Sequence, residues 1–175
     1  MANTVRISAD STVDLSPELL ERYSITICPL AVTMGDETLN DDGVSVKPAD
    51  LFEYTRRTGL LAKTAAQSTD YYENYFKALT EDGSEVIHFT ISSGMSSAYT
   101  FSCLAAEEVG GVHVVDSANL STGIALLVIK PPRWPPPART WTASSGRSRS
   151  SAPAWTPPSS STRWNSCTRA AAARL

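Results

Sequence analysis

The chain has 175 residues, enough for one domain of ordinary size, and its formal net charge of −3 averages two unlike parts. Residues 1–130 hold all eighteen Asp and Glu and eight of the fifteen Lys and Arg, a formal charge of −10, whereas residues 131–175 hold seven Arg and no acid, a charge of +7. The longest apolar run, Ile124 to Ile129, is too short to cross a membrane, and Cys28, Cys103 and Cys167 show no metal or redox spacing. Met1-Ala2-Asn3-Thr4 leads straight into a strand pattern, so no signal peptide is expected. Together these features argue against integral membrane association and for a reducing cytoplasm, with Cys28 and Cys103 as core thiols.

Val5-Arg6-Ile7-Ser8 alternates apolar and polar side chains, as a strand does, and Asp10-Ser11-Thr12 ends it in a polar turn. Ser16, Pro17 and Glu18 open a helix through Tyr23. Ile25 to Thr33 reads as the next strand, broken by Pro29, and Gly35-Asp36 as a hairpin turn into Glu37-Thr38-Leu39. Asn40-Asp41-Asp42-Gly43 lacks calcium-loop spacing and reads as a solvated acidic turn. Val46 to Thr58 is expected to be an amphipathic helix with Leu51, Phe52 and Tyr54 facing in, closed by Gly59. A connection from Leu60 to Ser68 follows. Ser68 or Thr69 then caps a helix whose Tyr72, Tyr75, Phe76 and Leu79 share one face.

Glu85 to Ile91 is β-branched and apolar, so it reads as a buried strand, and the chain resumes a helical pattern through Leu104 to Val109. The polar Ser92-Ser93-Gly94 turn lies between them. In α/β proteins this crevice, at a strand's carboxyl end and a helix's amino end, takes ligands. Free N–H groups there, with the helix dipole, would receive an anion. Val112 to Val115 is a further strand, ended by Asp116-Ser117. Alternating strands and helices imply an α/β fold, a mostly parallel sheet with helices on both faces. Ser11, Ser93 and Ser117 would then line up at the carboxyl edge. Asp10 and Asp116 read either as turn caps or as metal or acid–base residues, the former being the commoner role.

From Pro131 this patterning stops. The tail holds all four Trp and eight of the eleven Pro, with no apolar periodicity. Such a tail is ordinarily disordered, a candidate ligand for nucleic acid or an SH3-type partner. The genetic code offers another origin. The codons allowed for Ser161 to Ala171, read one base earlier, permit Asp-Thr-Leu-Glu-Phe-Leu-His-Lys-Gly-Gly, and Trp164-Asn165 forces the Glu. Pro135 to Thr142 likewise permits Ala-Ala-Ala-Gly-Lys-Asp-Leu-Asp. The expectation is an α/β domain over residues 1–129, followed by a frameshifted, disordered tail over 130–175.

Residues 4 to about 129 resemble the DegV family of fatty-acid-binding proteins. The resemblance rests on Asp10-Ser11-Thr12, Pro29-Leu30, Asp42-Gly43, Lys63-Thr64 with Gln67-Ser68, Ile91-Ser92-Ser93-Gly94-Met95-Ser96, Ala105-Ala106-Glu107-Glu108 and Val114-Val115-Asp116-Ser117, in that order. The shifted-frame segment looks like a further family stretch. The resemblance implies one long-chain fatty acid, palmitate- or oleate-like, held in an apolar tunnel between two α/β domains, the second missing here. It implies a carboxylate held by Thr64 and Ser93, with Ser92, Gly94 and Ser11 as neighbours. It further implies presentation to a separate fatty-acid kinase subunit, with no chemistry, catalytic residue, metal or cofactor in this chain. Ala66 and Gln67 stand where the family usually has Gln and Pro, and Ser97-Ala98 replaces a common Gly-Thr.

Two other readings use the same residues. A hydrolase with Ser93 as nucleophile would need a base, yet only His88 and His113 exist, both inside strand patterns, and Gly-x-Ser-x-Gly is absent. An interaction protein would use its basic tail, Arg147 to Arg149 and nearby Trp, on nucleic acid. The frame argument and the resemblance favour a fatty-acid ligand and no nucleic acid.

Overall fold

The computed structural model describes residues 4–130. The Pro, Ser and Arg tail, its proposed frameshift and Cys167 lie outside the described residues. Four strands form a parallel sheet in the order β2-β1-β6-β7: β1 (Val5–Asp10), β2 (Ile25–Cys28), β6 (Glu85–Thr90) and β7 (Val112–Asp116). Their register is continuous, Ile7 pairing with Ile25 on one side and Ile87 on the other, and Ile87 with His113. In β6 every residue from Val86 to Thr90 is buried. Because successive strand side chains point to opposite faces, both faces of the sheet must be covered.

The covering helices follow from the pattern. A 3-10 turn (Ser11–Val13) leads to α1 (Pro17–Arg22), with Ser16 at its N-cap position and Pro17 in its first turn, although the Ser16 hydroxyl makes no capping bond. Helix α3 (Thr69–Thr80) is capped by Ser68, whose hydroxyl accepts the Tyr71 N–H at 3.2 Å, and buries Tyr72, Phe76 and Leu79 at i, i+4 and i+7. Full burial of each such side chain contributes roughly 1.5–3 kcal/mol. Helix α4 (Ala98–Val109) buries small residues, Ala98, Ser102, Ala105 and Ala106, which lets α3 pack closely on it. Helix α5 (Thr122–Ile129) buries Ile124, Ala125 and Val128 and packs on β6 and the 3-10 turn.

Between β2 and α3 the chain departs from this layering. A second, antiparallel sheet runs β4-β3-β5, built from β3 (Ala31–Met34), β4 (Glu37–Asn40) and β5 (Lys63–Ala65). Gly35 takes a left-handed φ of 65° in the expected hairpin turn, where Met34 pairs with Glu37. Helix α2 (Pro48–Thr58) follows β4 and ends at Gly59, also left-handed.

Three expectations are corrected here. The run from Ile25 to Thr33 is two strands in two different sheets, because Pro29 and Leu30 carry the chain from the parallel sheet into the hairpin. Helix α2 begins at Pro48 and has no buried residue: Leu51 and Tyr54 are half-buried, and Phe52 is 76% exposed. No other element packs broadly against it, so Phe52 stays in solvent. The Leu60–Ser68 connection contains β5, whose three exposed residues are strand only because β3 offers them an edge.

Candidate functional site at the carboxyl edge of the parallel sheet

The ends of β1, β6 and β7 are adjacent, so the residues after them meet. Asp10, the last residue of β1, is fully buried. Its carboxylate accepts the Ile91 N–H at 2.9 Å and the Tyr72 hydroxyl at 3.5 Å. His88 Nε2 lies 3.4 Å from Asp10 Oδ1 without a hydrogen bond to it, and His88 Nδ1 is 2.9 Å from the Ser8 hydroxyl, itself 2.7 Å from Tyr75 Oη. The His88 ring packs edge-on against Phe76, with centroids 5.2 Å apart. Burial above all pushes the Tyr72 and Tyr75 hydroxyls far above the usual phenol range, and Asp10's charge adds to both. Burial likewise pushes the free Cys28 thiol far up, with Asp10 again adding. Its thiolate is therefore scarce, and Cys28 is the inert core thiol the sequence suggests. The polar cluster is a sealed strut that ties β1 to β6 and α3.

Above this strut sit the sequence-derived site residues. Ser11 turns its hydroxyl inward to accept the Leu30 N–H at 3.1 Å, so it braces the chain as it leaves the sheet. Ser117 is buried; its hydroxyl donates to the Asn119 carbonyl at 3.2 Å and accepts the Asn119 N–H at 3.1 Å. Ser93 and Gly94 are exposed and Ser92 half-buried. The Ser93 N–H donates to Asp116 Oδ1 at 3.0 Å and the Ser93 hydroxyl to Asp116 Oδ2 at 2.5 Å. Asp116 Oδ1 also accepts the Ala118 N–H at 2.9 Å. The Gly94 N–H donates to the Ser92 hydroxyl at 3.2 Å.

This geometry corrects the expected anion cradle. The Ser92-Ser93-Gly94 turn closes on itself, with Met95 and Ser96 N–H groups bonding the Ser92 carbonyl, and α4 starts only at Ala98. The Ser93 and Gly94 N–H groups are spent within the chain rather than free, and the helix dipole begins four residues later. Asp116 reaches from the neighbouring strand end to hold the turn. Its carboxylate also borders α4: Tyr99's hydroxyl is pushed up mainly by burial and further by the Asp116 charge.

Thr64 is elsewhere. It lies exposed on β5, paired with Val32 in the antiparallel sheet. Gln67 anchors its segment, donating to the Pro29 carbonyl at 3.1 Å and to Asn40 Oδ1 at 3.0 Å. The edge thus brings Ser11, Ser92, Ser93 and Gly94 together, while Thr64 hangs from the β2 side of the sheet. Sequence reasoning missed the grip of Asp116 on Ser93 and the anchor role of Gln67. A polar His88 inside an apolar strand was the only signal of the buried cluster.

An open cavity of about 550 Å³ lies apart from this edge, lined by Met34, Asp36, Glu37, Asp50, Glu53 and Arg57 among others. Four acids against one cation make it unsuited to an anionic head group. Among the described residues no group of His, Cys, Asp and Glu could hold a metal ion, and no helix is long and apolar enough to cross a membrane.

A profile described as "Uncharacterised protein, DegV family" matches residues 4–134. The chain belongs to the DegV family. A DegV domain-containing protein of Clostridium perfringens is 35% identical over 131 residues, covering 74% of this chain and 47% of that protein. A stearic acid-binding protein of Eubacterium ventriosum superposes with a TM-score of 0.65 at 30% identity, over 71% of this chain and 45% of that one. The fatty acid kinase (Fak) B3 protein of Streptococcus pneumoniae, solved loaded with linoleic acid, superposes with a TM-score of 0.60 at 26% identity, over 73% and 46%. The chain thus spans about half the length of these relatives.

Proposed function

We propose that this chain is the carboxyl-edge half of a fatty-acid-binding site, working in the cytoplasm and handing a long-chain acid to a separate kinase subunit. The reading is carried by one observation: the α/β fold over residues 4–130 superposes on a stearic acid-binding protein and on a fatty acid kinase B3 protein solved loaded with linoleic acid. The head group would be met by Ser93, with Ser92, Gly94 and Ser11 beside it and Thr64 reaching from the small sheet. The acyl chain would supply most of the affinity, at about 0.8 kcal/mol per buried methylene.

A binder fits the local chemistry better than a hydrolase. The partner of the Ser93 hydroxyl is a carboxylate, Asp116, and His88 is sealed beneath the edge against Ser8. A nucleophile needs a base it can reach. The tail from 130 to 175 is proposed to be a shifted reading of the segment that encodes the rest of the protein.

The test is the lipid content of two purified proteins, the 175-residue chain and a version with the frame restored after Lys130. Extraction and mass spectrometry should find a C16–C18 acid in the longer protein and little in the shorter. If neither carries lipid nor binds added palmitate or oleate, the reading is wrong. DNA sequence in which the Pro and Arg tail stays in frame, with a matching protein mass, would reject the shifted tail.

A further inference from the structure

Three contacts in the buried cluster form a row. Tyr75 Oη lies 2.7 Å from Ser8 Oγ, Ser8 Oγ 2.9 Å from His88 Nδ1, and His88 Nε2 3.4 Å from Asp10 Oδ1. Ser8 and His88 are register partners in the parallel sheet, which is why their side chains meet on one face. Heavy-atom distances leave the direction of each bond open. The far end of the row closes it. Asp10 is fully buried and takes donors, the Tyr72 hydroxyl on Oδ1 and the Ile91 N–H on Oδ2. A neutral imidazole carries one proton. Placed on Nδ1, that proton would leave the Nε2 lone pair facing a carboxylate oxygen in a dry site, two electron-rich atoms with nothing between them. Placed on Nε2, it faces the carboxylate. Nδ1 is then an acceptor, so Ser8 donates to it. Ser8 has one proton, so Tyr75 donates to Ser8. Burial above all pushes the Tyr75 hydroxyl far above the usual phenol range, which keeps that proton on the ring.

We propose that His88 is a positioning residue, held as the neutral tautomer protonated at Nε2, and that Tyr75, Ser8 and His88 form a one-way row of donors ending on Asp10. The row starts on half-buried Tyr75 of α3 and ends on the carboxylate that holds the Ile91 N–H. Each bond polarises the next, so helix and strand end are set together. Asp10 chooses the tautomer, and the tautomer chooses the direction of both hydroxyls behind it.

Asp10→Asn should turn the row round. The amide oxygen must stay at the Oδ2 position to accept the Ile91 N–H, which puts the nitrogen at the Oδ1 position, facing His88 Nε2. That nitrogen donates, so Nε2 becomes the acceptor and the ring proton sits on Nδ1. Ser8 then accepts from His88 and donates to Tyr75. The change gives up only the Tyr72 contact, at 3.5 Å the longest of the set.

The experiment is nitrogen-15 NMR of the imidazole rings in the 175-residue chain at neutral pH, since protonated and bare ring nitrogens resonate far apart. The chain has two histidines, and His113→Gln tells their signals apart. In the wild type, His88 should favour the Nε2-protonated tautomer at least roughly tenfold, the worth of an interaction with a charged group. Asp10→Asn should reverse that ratio. Ser8→Ala should keep the wild-type tautomer, because Asp10 and not Ser8 sets it, and it answers even if Asp10→Asn does not fold. A wild-type ring protonated at Nδ1 would place the shared proton on Asp10 and overturn the proposal. A doubly protonated ring, an unreversed ratio in Asp10→Asn, or a proton that moves to Nδ1 in Ser8→Ala overturns it as well.

Discussion

A carboxylate with no exposed surface must have partners, and Asp10 has three around it: the Ile91 N–H, the Tyr72 hydroxyl and the His88 ring. Its place at the end of β1 makes it a hinge pin between the sheet and the Ser92-Ser93-Gly94 turn, since Ile91 is the residue just before that turn. Asp10→Ala orphans the Ile91 N–H in a dry environment and should cost about 2–3 kcal/mol in urea unfolding. Asp10→Asn keeps an acceptor and should cost less. A wild-type midpoint in Asp10→Ala would show that the strut carries no load. Asp10, Ser11 and Thr12 stand together in the sequence, yet they divide the labour: the acid braces below the edge, and Ser11 braces the exit of β2. Residue type announced a polar turn there. It could not announce which side chains point down into the core.

Individual elements depend on turns in the same way. The loop before α2 is organised by Asp42, whose carboxylate accepts the Ser45 hydroxyl at 2.7 Å, the Ser45 N–H at 2.6 Å and the Val44 N–H at 2.8 Å. These bonds favour the charged form, the Ser45 hydroxyl most, and hold Asp42 below the usual carboxylate range. A lowered folded value stabilises the turn at neutral pH. That contribution is complete above the unfolded value, about 3.9, and is lost as pH falls through the lower folded value. The Val44 and Ser45 amide resonances should therefore titrate with a midpoint below 3.9, and the titration should vanish in Asp42→Asn. A midpoint at or above the ordinary value would mean the turn is not held this way. Elements with their own local signals were legible beforehand. The Ser68 cap and the Tyr72, Phe76, Leu79 stripe marked α3, and β-branched runs marked β1, β6 and β7. Two elements were not legible, for a physical reason. Strand β5 has no burial pattern and exists through pairing with β3 alone, and α2 buries no residue because no element packs broadly against it. Tertiary context decided both.

At the scale of the whole molecule the described chain has two parts with unequal anchoring. Residues 31–65 contribute nothing to the main hydrophobic cluster, which runs from Ala9 through Leu30 and resumes at Tyr72. They do carry the three most exposed large apolar side chains, Val44 at 81%, Leu61 at 77% and Phe52 at 76%. A segment with few buried contacts opens more readily than the core it hangs from. Its ties to the main body include the bond from the Asp41 N–H to the Leu30 carbonyl and the bond from the Gln67 amide to Asn40 Oδ1, the same amide also donating to the Pro29 carbonyl at the end of the parallel sheet. This explains why the proposed site was only half legible in the sequence. Ser11 and the Ser92–Gly94 turn belong to the parallel sheet, whose order follows from strand patterning, whereas Thr64 rides on the appended sheet, and Gln67 fixes where that sheet hangs. Gln67→Ala should therefore loosen residues 31–65 as a unit. In hydrogen exchange followed by mass spectrometry, peptides from 31–65 should lose protection roughly 5- to 10-fold, the equivalent of about 1 kcal/mol for a net hydrogen bond. Peptides from 85–116 should keep theirs, and the thermal midpoint should move little. Equal loss of protection in both regions would mean that the small sheet and the parallel sheet open together, and Thr64 would then be held as rigidly as Ser93.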